Sequence, residues 1–149
     1  MARLDNWQNE LSSFIEEKRH VAFDFATWNC MFFVLGGIEA VTGIDYAAAY
    51  KGKFKTEKGA ARLLRRIDNV ANSKEFLEKH FGEAKPIAFA RHGDIVLVNP
   101  DEAGLQLPTD IELFGVVPGL CYGSVSYFLG EFGLVQVDTL RLGQTIWVS

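Results

Sequence analysis

Phe25-Ala26-Thr27-Trp28-Asn29-Cys30-Met31-Phe32-Phe33-Val34-Leu35, running on through apolar residues to Gly43, is the stretch that decides how this chain folds. Asn29 can cap a helix through its side-chain oxygen, and Gly43 suits the left-handed position that follows a last turn. Between them the apolar residues point nearly all round, so the spacing predicts a central, buried helix with Gly36 and Gly37 allowing close packing inside it. Cys30 then falls in the first turn. There the unpaired N–H groups and the positive end of the helix dipole favour a thiolate, the form that attacks carbonyls. A cysteine on an apolar helix can equally be inert core, and the two readings differ in whether a base stands beside it.

Before this stretch, Leu4, Trp7, Leu11, Phe14 and Ile15 recur at helical spacing and predict an amphipathic helix ending near His20. After it, residues 45–50 suggest a short helical turn. Residues 56–66 form a third helix capped by Thr56, and residues 73–81 a fourth, capped by Ser73 and stopped by Gly82. From Pro86 the texture changes to β-branched and aromatic runs at 95–98, 113–117, 120–128, 134–137 and 145–148, which read as an antiparallel sheet. Residues 99–110 are the longest irregular connection. Helices followed by strands is the order of an α+β fold, here as one domain over residues 1–149.

Composition narrows the chemistry. With 149 residues, 48% of them hydrophobic, there is material for a full core. Cys30 and Cys121 are too few for a disulfide scaffold, and no disulfide is expected. No His/Cys/Asp cluster has ligand spacing and no glycine loop cradles phosphate, so neither metal nor cofactor is expected. The N-terminus turns polar at once and no run of eighteen apolar residues follows, which predicts neither a signal peptide nor a membrane span. Net charge is −4, yet Lys51, Lys53, Lys55, Lys58, Arg62, Arg65 and Arg66 fall together with only Glu57 opposing them. Such a segment is either a solvated helix face or a dock for an acidic surface. Its cations are not interleaved with aromatic residues as a nucleic-acid platform would be, and no nucleic-acid partner is expected.

The order of pieces resembles the NlpC-type branch of the papain-like cysteine peptidases, and more narrowly a small phage and prophage family within it. The matching stretches are residues 23–33 around Cys30, Thr42-Gly43-Ile44-Asp45, Tyr50-Lys51-Gly52-Lys53-Phe54, Gly59-Ala60-Ala61-Arg62, the strand His92-Gly93-Asp94-Ile95-Val96-Leu97-Val98, and the closing Gly133-Leu134-Val135 and Trp147-Val148. The resemblance implies a papain-like fold in which Cys30 attacks an amide, a histidine takes its proton and a third polar group orients that histidine. In NlpC-type enzymes the histidine opens the strand after the Gly-Asp strand, two residues before a glycine. Aligned on Gly115, that position is Leu113.

Three histidines are present. His20 and His80 sit at helix ends, where each reads as a C-terminal cation or surface residue. His92 is the remaining candidate base, although five residues at about 3.3 Å each would separate it from the usual base position by roughly 15 Å. Asp94 reads as a turn residue, and Asp24 as an acceptor near the start of the Cys30 helix. The expectation is a virion protein of the phage tail tip, made in the bacterial host cytoplasm. It would be catalytically degenerate and bound to other tail proteins. The alternative is an active cysteine peptidase or amidase with Cys30 as nucleophile, cleaving peptidoglycan stem peptides during genome entry.

Overall fold

A computed structural model describes residues 2–107 and 116–148. Helix α2 (Cys30–Thr42) forms where the caps dictate. The Asn29 side-chain oxygen accepts the Phe32 N–H at 3.0 Å, and Gly43, at φ 80°, donates its N–H to the Glu39 carbonyl at 2.7 Å. Most of its residues are buried because it is covered on two sides. A Cβ on Gly36 would lie 2.7 Å from the Phe14 ring, and one on Gly37 only 2.3 Å from a Leu120 methyl. The glycine pair thus lets helix α1 (Trp7–Lys18) press on one side and the sheet on the other. The two helices run antiparallel: the Leu4 N–H bonds the Val41 carbonyl at 2.8 Å, while Phe14 packs on Phe33 and Trp28 towards the opposite end of α2.

The third helix begins as expected, with the Thr56 hydroxyl accepting from Gly59. It is α-helical only over α3 (Glu57–Leu63) and continues as a π-turn, Leu64–Asp68, closed by Asn69 at φ 55°. Helix α4 (Ser73–Phe81) stops at Gly82, but its cap is Asn72, whose side chain accepts from Glu75 at 2.9 Å. Ser73 is instead the first helical residue and fully buried.

The sheet contains β1 (Lys85–Pro86), β2 (Ile95–Val98), β3 (Val117–Tyr122), β4 (Val125–Gly130), β5 (Gly133–Asp138) and β6 (Gln144–Ile146), in the order β1-β6-β2-β3-β4-β5, every pair antiparallel. The fold class is therefore α+β, helices first and an antiparallel sheet after, as the sequence implies. The single run expected at 120–128 is in fact two strands, because Gly123, at φ 82°, turns the chain back. Of the strand expected at 113–117, Val117 belongs to β3, and 113–115 lie outside the described residues. The connection expected to be irregular carries a short helix, α5 (Pro100–Ala103), capped by Asn99.

Strand β2 is buried on both faces. Ile95 and Leu97 join the main core with Phe33, Ile38 and Leu120. Val96 and Val98 enter a second cluster with Val117, Cys121, Phe128 and Cys30. Each such fully buried aliphatic or aromatic side chain contributes about 1.5–3 kcal/mol relative to an exposed one. Among the described residues, no helix is long and apolar enough to cross a membrane.

Candidate functional site

Cys30 is the first residue of α2, immediately after its cap, and is 5% exposed. It belongs to the cluster of Val96, Val98, Val117 and Leu142 behind the helix. Asp24 supports the turn leading in, its carboxylate accepting from the Ala26 N–H at 3.1 Å.

The strand paired with β2 on its β3 side places Gly119 opposite Val96 and Val117 opposite Val98. Gly119 is required there, since a Cβ would come within 2.5 Å of the Tyr127 carbonyl. Two residues before that glycine stands Val117, 1% exposed and in the same cluster as Cys30. The position aligned from sequence, Leu113, lies outside the described residues. An aliphatic side chain, Val117, is thus what stands two residues before the glycine of the strand paired with β2.

His92 is held at the other end of α2. Its carbonyl accepts from Arg3 Nη1 at 2.6 Å, and its ring packs on Trp7 (5.1 Å) and Tyr122 (4.6 Å). Trp7 opens α1, beside the Leu4–Val41 contact in the last turn of α2. From Cys30 to Val41 a helix rises about 16 Å. His92 and Cys30 are therefore not brought together. Burial, and after it the Arg3 charge, push the His92 pKa below its usual value, leaving a neutral imidazole. Its Nε2 has no hydrogen-bond partner among the described residues.

Asp94 makes the local contact expected of it and three that sequence did not reveal. Oδ2 accepts from the Arg91 N–H (3.0 Å) and Arg91 Nε (3.2 Å), while Oδ1 accepts from Arg3 Nη2 (2.9 Å) and the Val148 N–H (2.9 Å). Arg3 Nε also donates to the Val148 carbonyl at 2.7 Å. This fully buried carboxylate ties residues near both chain ends to the start of β2. Burial lowers the Arg3 pKa, with Asp94 working against that shift.

His80, read from sequence as a helix C-terminal cation or a surface residue, does stand in the last turn of α4, but it is half-buried in a polar cluster that sequence reasoning missed. Its Nε2 lies 2.9 Å from Asp68 Oδ1, and Oδ2 of the same carboxylate accepts from the Tyr50 hydroxyl. Lys79 Nζ donates to the Asp68 carbonyl at 2.6 Å and stands 3.4 Å from Oδ1. Burial alone would raise the Asp68 pKa, but hydrogen bonds from Tyr50 and His80, the His80 charge and Lys79 outweigh it and hold the carboxyl below its ordinary range. Burial, followed by the hydrogen bond to Asp68, raises the Tyr50 pKa. The π-turn is what aims Asp68 inward, and no residue pattern announces a π-turn. The adjoining cavity, lined by Tyr50, Phe32, Phe54 and Phe76, holds only about 40 Å³. His20 is exposed in the turn after α1, alongside Gly133 of β5.

Cys121 is buried on β3, its thiol 3.4 Å from the Gly123 carbonyl, and burial raises its pKa. Neither cysteine is in a disulfide. Among the described residues, no group of three or more His, Cys, Asp and Glu side chains is placed to hold a metal ion. The seven cations of residues 51–66 are all exposed, with Lys51 4.0 Å from Asp45.

A family model, the domain of unknown function DUF6950, matches residues 2–147. The chain belongs to the DUF6950 family. The DUF6950 match runs from the segment before α1 to beyond β6, so Cys30, Arg3, Asp94 and the Asp68 cluster lie within it, while Val148 falls one residue past its end. No curated protein and no solved structure matches the chain.

Proposed function

We propose that this DUF6950 protein is a component of a phage tail tip, an NlpC-type, papain-like domain whose cysteine-peptidase constellation has decayed and which works through contacts with other tail proteins. The observation that carries the degenerate reading is positional: valine stands two residues before Gly119 in the strand paired with β2, in the cluster that encloses Cys30. Papain-like chemistry needs an imidazole that takes the thiol proton and returns it to the leaving amine. The candidate base named from the sequence, His92, packs with Trp7 and Tyr122 towards the far end of α2. The tail-tip assignment rests on the sequence resemblance.

Two measurements test the reading together. Mass spectrometry of purified virions should find the protein at a fixed copy number, and its absence from virions removes the structural role. The purified protein should leave peptidoglycan intact. Wall cleavage that disappears in Cys30→Ala would instead establish the amidase, for which the Asn29-capped thiol position is the supporting feature.

A further inference from the structure

Charge on this molecule is segregated. Of its 15 cations and 19 carboxylates, seven cations and one carboxylate fall within residues 51–66, leaving eight cations against eighteen carboxylates elsewhere. The cationic part ends in an arginine ridge: Arg62, Arg65 and Arg66 are exposed and flank a shallow hollow of about 400 Å³, and the apolar Ile67 (41% exposed) follows them in the same π-turn. None of these three arginines has an ion-pair partner among the described residues.

A groove of about 500 Å³ between α1 and α2 has the complementary character. Phe14, Trp28 and Gly36 supply its apolar floor, and Glu10, Glu17 and Glu39, all exposed, also line it. Lys18 and Lys51 also border it: Lys18 lies 3.7 Å from Glu17 and over the Trp28 ring, a partly exposed pair that an incoming arginine has to displace, and Lys51 stands 4.0 Å from Asp45. Glu39 has no ion-pair partner among the described residues, and Glu10 only a 3.2 Å hydrogen bond from Asn6. The ridge and the groove share no residue, so one molecule can use both at once.

We infer that the occupant of this groove is a second copy of the chain, with the Arg62, Arg65, Arg66 and Ile67 ridge of one copy seated between Glu10, Glu17 and Glu39 of the next. Ile67 meets the Phe14 and Trp28 floor, and the guanidinium forks meet these carboxylates in the paired geometry that arginine favours. Because the two patches differ, the contact is head-to-tail and builds a ring if its rotation closes or a filament if it does not. This names a partner for the contact-making role proposed above and rests on it. The two fail separately, since virion content tests that role and the experiment below tests only the contact.

The experiment is sedimentation velocity on the full chain and two charge-swapped variants, one with Arg62→Glu, Arg65→Glu and Arg66→Glu, the other with Glu10→Lys, Glu17→Lys and Glu39→Lys. All six side chains are exposed, so circular dichroism and melting should be unchanged in both. The natural chain should exceed monomer mass at about 20 mM salt and return to monomer near about 500 mM, where charge pairs are screened. Each variant alone should be monomeric, because ridge and groove then carry the same sign. An equimolar mixture should assemble again, every ridge now meeting an opposite groove. A natural chain that is monomeric at all salts and concentrations overturns the inference, as does a mixture that stays monomeric. Retention of the natural chain on immobilised DNA without self-association would overturn it in favour of a polyanion.

Discussion

The two ends of α2 differ in chemistry, one apolar and one polar. At its first turn Cys30 is enclosed with valines and Leu142. At its last turn, polar groups converge: Arg3, Asp94 and the His92 backbone bond one another and the Val148 peptide around a fully buried carboxylate. A cysteine hydrolase needs a thiol, an imidazole and an orienting polar group in one place. His92 and Asp94, the candidates nearest the β2 start, stand about a helix length from Cys30, where they tie the chain ends to the sheet.

If that division is right, the polar end is structural and should respond most strongly. Asp94→Ala strips Arg3, Arg91 and the Val148 N–H of their shared partner and should cost about 3–5 kcal/mol by denaturant unfolding. A loss below about 1 kcal/mol would break the comparison. Next comes the other carboxylate cluster, where Tyr50→Phe should cost about 1.5–3 kcal/mol by removing a hydrogen bond to Asp68. That cost has a pH window. The Asp68 pKa is lowered on folding, so its contribution is present above the unfolded carboxylate value of about 3.9 and is lost as pH falls through the lower folded value. The Tyr50 pKa is raised, so its contribution is full below about 10 and is lost as pH climbs towards the folded value. Unfolding curves of both proteins between those limits should differ by a constant amount, and should converge on either side.

Gly37→Ala tests the packing that fixes where α2 lies on the sheet. The added methyl meets Leu120 and should cost about 1–3 kcal/mol, with Gly52→Ala, facing open space but at positive φ, as a strained control without the clash. The smallest effect belongs to the Cys30 end itself. Asn29→Ala removes the α2 cap and should cost about 1 kcal/mol in melting experiments, the ordinary value of an N-cap.

Local chemistry made one part of this structure legible from sequence and long-range pairing hid the rest. Asn29, Thr56, Gly43 and Gly82 mark helix ends through bonds that span three or four residues, and each does so in the structure. Neighbouring donors compete, however, and Asn72 takes the cap that Ser73 could have supplied. The strand at 95–98 was readable from its apolar run, whereas the fold-back at Gly123 lies inside one continuous apolar stretch and shows only as a left-handed glycine. Cys30 at a helix start was readable for the same local reason. Its neighbours were not, since Val96, Val98 and Val117 arrive through the β2–β3 register, and the sequence placed that pairing around Gly115. Asp68 needed a π-turn, and Arg3 lies 91 positions from the aspartate it serves.

The central claim, that Cys30 is packed rather than activated, is tested most directly by its alkylation rate in a Cys121→Ala background, which leaves one thiol to report. In the folded protein, labelling should be slower than in urea by at least about a hundredfold at every pH from about 6 to about 9. Fast labelling of the folded protein that is already at its plateau near neutral pH would reveal a stabilised, accessible thiolate and contradict the account.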